Sequence, residues 1–415
     1  MTPEAIETLL AAHPQATLLA KIGAEAAAAG WRTAVVGGFV RDLLLGIINQ
    51  DLDIVIEGDA LACSRLLADR LGGAVVRTSR FGTAALAVGD GKIDLAMARK
   101  ERYPRPGALP EVSGGSLEDD LFRRDFSINA MAIELSPVSF GRLLDPVGGR
   151  ADLAAGLIRV LHPQSFRDDP TRLLRAVRLA HRMNFALAAD TESCWRQAVK
   201  GRYWRLVSPA RLGREIRLLF AENDWVGLVR RLEAGNLFWP LFAVRLTTAK
   251  TAALKRAGAA MAYFAGQGLT VDRLALAAMT IGGKAPQWLD KKVDSLLAAA
   301  GAAAKTLVLP DPGPRQLYLA LNELPPTALA YLWIICQNDR EQEKLRDYSE
   351  KLRHVAPVLD TAAIIELAGR GPQIKTIRRE LLYARLEGRL ATREEELALV
   401  KALAKGQPLK EENTC

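Results

Sequence analysis

A chain of 415 residues is long enough for two to four domains and a sizeable core, and 49% hydrophobic with 25% charged residues is the balance of an ordinary soluble globular protein. No apolar run reaches the roughly 18 residues of a membrane span, and the N-terminal MTPEAIETLL lacks a basic region followed by an apolar core, so the cytoplasm is the expected location. The net charge of +9 suits a polyanionic partner, whereas four scattered cysteines (Cys63, Cys194, Cys336, Cys415) without a C-x-x-C pair, and four histidines without ligand spacing, argue for reduced thiols and against a zinc site.

Residues 5–29 carry apolar side chains at helical spacing (Ile6, Leu9, Leu10, Leu18, Leu19, Ile22, Ala26), broken at Pro14 and ended by Gly30. The next stretch, VVGGFVRDLLLGIINQDLDIVIE over 35–57, predicts a short strand ending in two glycines, a helix from about Phe39 with Arg41 in its first turn, and a second strand carrying Asp51 and Asp53. Gly37 and Gly38 let the backbone approach a ligand, and the first free amides of the helix favour phosphate. Arg41 adds a bidentate phosphate clamp. Alternation along the strand puts Asp51 and Asp53 on one face and Leu52, Ile54 and Ile56 in the core. Two carboxylates roughly 6–7 Å apart on one strand face are costly unless a divalent cation lies between them, the pattern of a Mg²⁺ site facing a triphosphate. Taken singly, Gly-Gly before a helix is usually a tight turn and Asp-x-Asp a solvated strand; their joint order is much harder to obtain by accident. GGFVRDLLLG followed by DLDIV resembles the nucleotidyltransferase superfamily that includes DNA polymerase beta, and within it the class II tRNA nucleotidyltransferase and bacterial poly(A) polymerase branch.

A helix is expected over Asp59–Leu71, stopped by Gly72-Gly73, followed by the strand-like runs AVVRTS, GTAALAVG and KIDLAMAR; together these predict a small mixed sheet with helices on one face. Asp94 lies in the third run. If that strand pairs beside the Asp51 strand, three carboxylates converge on one metal site. The resemblance implies the same, because an acid stands there in the family, in a strand leading to an Ala-Arg pair like Ala98-Arg99. Residues 100–118, rich in Pro, Gly and charge, read as a long loop without a core of its own, either a mobile lid over the nucleotide or a surface excursion. In EDDLFRRDFSINAMAIEL, apolar Leu121, Phe126, Ile128, Met131 and Ile133 fit helix or strand. RRDFSINAMA resembles the family motif in which an arginine meets the triphosphate and an Asp-Arg set contacts the sugar hydroxyls, which implies those roles for Arg124, Asp125 and Asn129. Reading a 2′-hydroxyl selects a ribonucleotide. DPVGGR marks a turn into a helix from about Arg150, which the resemblance makes a hinge and composition alone makes simple punctuation.

DDPTRLLRAVRLAHRMNF sets Arg172, Arg175 and Arg178 along one side of a helix, with Leu174, Val177 and the alanines inward. Such a row is usually a solvated basic face. The run nevertheless resembles the family's acid-Asp-x-x-Arg motif, which implies that Asp169 and Arg172 read the incoming base as a protein template. A carboxylate accepts from an exocyclic amino group and a guanidinium donates to the adjacent acceptor, so C and A fit where U and G do not. Arg175 and Arg178 are then expected to face phosphate or orient that pair, and Asp168, where the family often has Glu, to act as a helix cap. SPARLGREIRLLFAEN predicts a further helix capped by Ser208 that braces the neck, with Glu215 retained but Ala210 where the common pattern has Glu. Beyond about 225 the chain is helical, interrupted by Pro and Gly at 234–240, 265–269, 281–286, 308–314 and 324–326. Near the end, Lys375, Arg378, Arg379 and Arg385 lie close together on a helix; this is a solvated face or, as the family's tRNA-gripping tail implies, an RNA contact through Lys375, Arg378 and Arg379. Residues 405–415 are expected to fray.

The expected fold is therefore α+β, with a polymerase-beta-like nucleotidyltransferase head of mixed sheet and helices at 1–150 (a helical extension at 1–30), then an all-helical portion. That portion comprises a neck at 151–222, a body at 223–315 and a tRNA-binding tail at 316–415. The resemblance implies template-independent addition of C and A from CTP and ATP to the 3′ end of tRNA. Two Mg²⁺ ions would be held by Asp51, Asp53 and Asp94, and the triphosphate by Gly38, Arg41 and Arg124. The alternatives are an enzyme adding only CC or only A, a bacterial poly(A) polymerase and, in another class, a noncatalytic RNA-binding protein.

Overall fold

The computed structural model describes residues 3–79, 82–89, 91–282 and 287–405, and the chain divides into two compact units, Met1–Asn236 and Leu237–Cys415. The first opens with α1 (Pro3–Ala11) and α2 (Ala16–Ala28), separated around Pro14, which has no N–H to continue a helix. Then come β1 (Arg32–Val36), α3 (Gly38–Leu44), β2 (Leu52–Glu57) and α4 (Ala60–Leu71). The Asp59 carboxylate caps α4 by accepting from the amides of Leu61 and Ala62, and Gly72 ends it in the left-handed region at φ +66°. The three predicted strand runs form β3 (Ala74–Ser79), β4 (Thr83–Val88) and β5 (Gly91–Met97), antiparallel neighbours in that order. Next are β6 (Arg99–Arg102), β7 (Glu111–Gly114), α5 (Leu117–Phe122), β8 (Ala132–Glu134) and β9 (Leu143–Leu144). The main sheet has seven strands in the order β3-β4-β5-β2-β1-β8-β9, with β2 and β5 parallel.

One face of this sheet is the core: Val35, Leu52, Ile54, Ile93 and Leu95 are buried beneath α2, α3 and α4. On the other face α5 covers only one end, where Val55 packs with Ala34, Val36, Leu117 and Leu121. Asp53, two residues earlier on that face, is left open. The helix-or-strand ambiguity of 118–135 resolves into both, helix to Phe122 and strand from Ala132.

The long loop expected over 100–118 is not found. Its ends pair as β6 and β7, Arg99 opposite Gly114 and Arg102 opposite Glu111, and the Pro and Gly residues that suggested a loop fill the connection between them. The tip is fastened: the Gly107 amide donates to the carbonyls of Arg167 and Asp168, 3.2 Å each, and its carbonyl accepts from Arg211 Nη1 at 2.9 Å.

The unit continues through α6 (Gly149–Ala155), β10 (Leu157–Ile158), α7 (Ser165–Asp168), α8 (Thr171–Arg182), β11 (Ala186–Leu187), α9 (Ala189–Lys200), α10 (Pro209–Ala221) and α11 (Trp225–Ala234). Ser208 caps α10, accepting from the Arg211 amide at 3.4 Å, with Pro209 in the first helical position. Asp168 is not the cap expected of it. It closes α7, and Pro170, with the helical φ that its ring imposes, sits at the entry to α8.

The second unit is helical throughout its described residues: α12 (Phe238–Phe242), α13 (Thr248–Gly266), α14 (Arg273–Ile281), α15 (Gln287–Val308), α16 (Pro314–Leu321), α17 (Pro326–Ile335), α18 (Asp339–Glu350), α19 (Thr361–Ala368), α20 (Gln373–Leu386) and α21 (Arg393–Ala404). Its α-helices break at the expected Pro and Gly clusters and also at 243–247, 336–338, 351–360, 369–372 and 387–392; of the clusters, 283–286 lies outside the described residues, as do 406–415 of the segment expected to fray. Cys63, Cys194 and Cys336 are free thiols, and burial pushes those of Cys63 and Cys336 up to about 12, as packing residues would be. Cys415 lies outside the described residues. Among those residues no helix is long and apolar enough to cross a membrane.

Candidate active site

Parallel pairing of β2 and β5 places Asp53 directly opposite Asp94, in a register that also sets Leu52 against Ile93 and Ile54 against Leu95. Neighbouring strands lie about 4.8 Å apart, so two carboxylates on one open face are held as close as a sheet allows. Asp53 is pushed above the ordinary carboxylate range by the surrounding protein and by the charges of Asp94 and Asp51, against the opposing pull of Arg124. Asp94 is already paired: its Oδ2 takes the Lys92 ammonium at 2.7 Å, and Arg77 stands 3.9 Å from its Oδ1. Asp51 is exposed and precedes the strand, its amide donating to Asn49 Oδ1 at 2.9 Å.

Among the described residues no three His, Cys, Asp or Glu side chains close around one point, so the expected triple convergence reduces to an in-register pair with a third acid nearby. The donor set still fits a hard divalent cation: oxygen ligands only, mutual repulsion that raises the proton affinity of Asp53, and an ammonium already drawn to Asp94.

At the β1–α3 turn Gly37 has φ +69°, which favours glycine, and a Cβ built there would lie 2.9 Å from Arg124 Nη1. Arg124 thus stands over the glycine turn and, with Asp53, Asp94, Arg99 and Arg123, lines a cavity of about 380 Å³. A Cβ on Gly38 would meet Arg41 Nη2 at 3.7 Å. Arg41 is nearly fully buried, however, donating from Nε to Asp42 Oδ1 and from Nη1 to Asn129 Oδ1, 2.8 Å each, so part of its expected clamp is already engaged by the protein.

Asn129 passes the connection on, its amide nitrogen donating to Asp125 Oδ1 at 3.1 Å, and Asp125 Oδ2 accepts from Arg175 at 2.9 and 2.6 Å. Burial opposes the charge on Asp125, but Arg175 and the Asn129 amide outweigh it and hold this carboxyl below the usual range. Arg175, expected to face phosphate or to orient the base-reading pair, is therefore the counter-ion of Asp125.

The arginine row of α8 is not a solvated face. Arg172 is 5% exposed and donates to Ser165 Oγ at 2.6 Å and to the Arg123 carbonyl at 2.8 Å, while Arg178 is half-buried with Glu215 3.9 Å away. Asp169 Oδ1 gathers three donors: Thr171 N at 3.1 Å, Thr171 Oγ1 at 2.7 Å and Arg211 Nη2 at 2.9 Å. Asp169, Arg172, Arg175 and Asp125 line a second cavity, about 410 Å³, that shares Arg99, Arg123 and Arg124 with the first. The carboxylates and the Asp169–Arg172 turn therefore line two adjoining cavities, with Arg99, Arg123 and Arg124 in the wall of both.

Sequence reasoning passed over several residues of these cavities. Arg211, assigned to bracing, reaches both Asp169 and the β6–β7 tip. Glu101, in the supposed loop, accepts from Arg99 at 2.7 Å, Arg123 at 3.1 Å and Tyr103 at 3.0 Å. Only the departure of 209–215 from the family pattern could have drawn attention to Arg211. In the second unit Lys375, Arg378 and Arg379 are exposed on α20, Arg378 touching Thr361 Oγ1 at 3.0 Å. Arg385 instead pairs with buried Glu396 at 2.9 Å.

Residues 33–159 match the family model for the poly A polymerase head domain. The chain is 44% identical over 247 residues to the A-adding tRNA nucleotidyltransferase of Halalkalibacterium halodurans, covering 58% of this chain and 57% of that protein. It is 32% identical over 394 residues to the A-adding tRNA nucleotidyltransferase of Geobacter sulfurreducens, covering 89% of this chain and 45% of that one. The chain thus spans about half the length of these two relatives. Among solved structures, the Thermotoga maritima CCA-adding enzyme complexed with tRNA-CCA superimposes with a TM-score of 0.71 at 28% identity, covering 96% of this chain and 98% of that one.

Proposed function

Because the chain belongs to the class II tRNA nucleotidyltransferase and bacterial poly(A) polymerase family, we propose that it adds C and A residues from CTP and ATP to the 3′ end of tRNA without a nucleic-acid template, releasing pyrophosphate. The observation that carries this reading is the pair of adjoining cavities, one with an in-register carboxylate pair, the other with the Asp169–Arg172 turn, and Arg99, Arg123 and Arg124 common to both.

The family implies a divalent metal, which we take to be Mg²⁺; Asp53, Asp94 and Asp51 would hold it, and the chemistry it would supply is acidification of the RNA 3′-hydroxyl and neutralisation of charge on the departing pyrophosphate. Arg124 meets the triphosphate beside the Gly37–Gly38 turn, with Arg41 behind it. Asp125 and Asn129 face the ribose hydroxyls, their orientation set by Arg175 and Arg41. Asp169 accepts the amino group of cytosine or adenine. Arg172, with five N–H donors and two engaged by Ser165 and Arg123, donates to the neighbouring ring acceptor. Arg175 and Arg178 hold this reading surface from behind. No side chain acts as nucleophile; positioning and charge stabilisation supply the rate. Lys375, Arg378 and Arg379 contact the tRNA backbone, and the protein works in the cytoplasm.

A second reading, addition of the terminal A alone, is favoured by the two A-adding relatives. The test of the shared chemistry is incorporation of labelled ATP and CTP into tRNA lacking its 3′ end, with and without Mg²⁺. Incorporation abolished in Asp53→Asn supports the proposal; tRNA binding without incorporation would make the chain a noncatalytic RNA-binding protein.

A further inference from the structure

Asp120 is a carboxylate with no solvent exposure, on the short helix α5 that covers one end of the carboxylate-bearing sheet face. Both its oxygens are taken by consecutive arginines. Oδ1 accepts from Arg123 Nε at 2.8 Å and Nη2 at 2.6 Å, and Oδ2 accepts from Arg124 Nη2 at 2.8 Å. Its own amide is the first on α5 to close a helical bond, donating to the Ser116 carbonyl at 3.1 Å, and a Ser116–Asp119 capping box fixes the start of the helix. The carboxylate is thereby set on a rigid element rather than on a loop.

The two guanidinium groups meet different fates beyond Asp120. Arg123 is locked: its Nη1 donates to Glu101 at 3.1 Å, and its main-chain carbonyl receives Arg172 Nη2 at 2.8 Å. Arg124 is held at one nitrogen only. Its Nε is buried and has no hydrogen-bond partner, and its Nη1 overhangs the Gly37 turn in the cavity that Asp53 and Asp94 line. The bare glycine backbone leaves room beside Nη1, which is the nitrogen a phosphate oxygen in this cavity would meet.

We propose that Asp120 is a positioning residue for the triphosphate. It ties down Arg124 through Nη2 so that Nη1, over the Gly37 turn, is presented without reorganisation to a phosphate oxygen. By fixing Arg123 it also holds the carbonyl on which Arg172 rests, so one buried acid aligns the phosphate cavity with the base-reading one. This rests on the reading of the two cavities as a nucleotide site. A competing electrostatic effect has the opposite sign: removing a negative charge beside two arginines raises the local positive potential and tightens anion binding. The two accounts therefore predict opposite changes in affinity.

The experiment is calorimetric titration of the full chain with inorganic tripolyphosphate, which has no base or sugar, and separately with ATP. Asp120→Asn, Asp120→Glu, Arg124→Gln and the Asp120→Asn/Arg124→Gln double variant are compared with wild type. We expect tripolyphosphate to bind wild type and to bind Asp120→Asn roughly ten- to a hundredfold more weakly, the usual loss when the group orienting a ligand-binding side chain is removed. Asp120→Glu recovers part of the loss, and Asp120→Asn adds nothing once Arg124 is Gln. Equal or tighter binding by Asp120→Asn, or full additivity in the double variant, overturns the inference. Absence of tripolyphosphate and ATP binding to wild type overturns the nucleotide-site reading instead. If Asp120→Asn does not fold, the Asp120→Glu and Arg124→Gln titrations decide: unchanged affinity in either contradicts the inference.

Discussion

Asp125 and Arg175 face each other where the sheet unit meets α8, one carboxylate oxygen accepting from both Nε at 2.9 Å and Nη2 at 2.6 Å of the same guanidinium. With Asn129 and Arg41 this pair forms a hydrogen-bonded chain from α3 to α8. The ion pair holds the Asp125 carboxyl below its ordinary range despite burial, so its contribution to stability is complete above the unfolded-state value of about 3.9 and is lost as pH falls through the lower folded value. Asp125→Asn should lower stability at pH 7 by about 1–3 kcal/mol, since Arg175 keeps its burial and loses its partner. Urea midpoints followed from pH 6 to pH 3 should fall less steeply in the variant; parallel curves would contradict the assignment.

Asp53 has the opposite shift. Its charge is disfavoured by the surrounding protein and by Asp94 and Asp51, so ionisation weakens the metal-free fold at every pH above its folded value. Asp53→Asn is expected to raise Tm in metal-free buffer at pH 8 while lowering nucleotide incorporation at least about a hundredfold, as loss of a metal-binding acid should. A variant less stable than wild type without metal would mean that the carboxylate is structural.

Base choice should depend on Asp169. Removing its acceptor in Asp169→Ala is predicted to reduce the preference for CTP over UTP, measured as the ratio of kcat/KM values, by about ten- to a hundredfold, the worth of one hydrogen bond to a charged group. Arg211→Met, which removes one of the three donors to Oδ1, should shift the same ratio in the same direction but less. Unaltered ratios with lowered kcat would place base recognition elsewhere.

The β6–β7 tip offers a test of the docked hairpin. Gly107 has φ +71°, and a Cβ there would lie 2.4 Å from the Leu206 carbonyl oxygen, a contact that backbone must move to relieve. Gly107→Ala should cost about 1–3 kcal/mol and accelerate proteolytic cleavage between Tyr103 and Pro110. A cleavage rate equal to that of wild type would show that the tip is already undocked in solution.

What the sequence made legible follows the range of the interactions involved. Asp53 on the open face of β2 could be read because each neighbour, Leu52 and Ile54, is apolar and strand alternation is strictly local. The hairpin within 99–114 could not, because RKER and EVSG have no apolar periodicity and are held by cross-strand pairing and by contacts to 167, 168 and 211. The basic row of α8 shows the same limit. Its spacing is that of a solvated face, and only the packing of Ser165, Arg123 and Asp125 against it shows that its polar groups are taken up by the protein. Arg211 acts through Gly107 and Asp169, distant in the chain, and nothing in its local context marks it; Asp120 pairs with Arg123 and Arg124 at local helical spacing that by itself reads as a surface ion pair.

The central claim, that this site extends a tRNA 3′ end with C and A, is tested most directly by primer extension on three transcripts ending at the discriminator base, at C and at CC, with CTP and ATP supplied singly and together in Mg²⁺. Our account predicts complete CCA on the first transcript, with Asp51→Ala inactive. Extension of the CC-ended transcript alone, by a single A, would establish the A-adding reading. No incorporation on any transcript, with the Asp51→Ala protein binding tRNA as well as wild type does, would contradict the account.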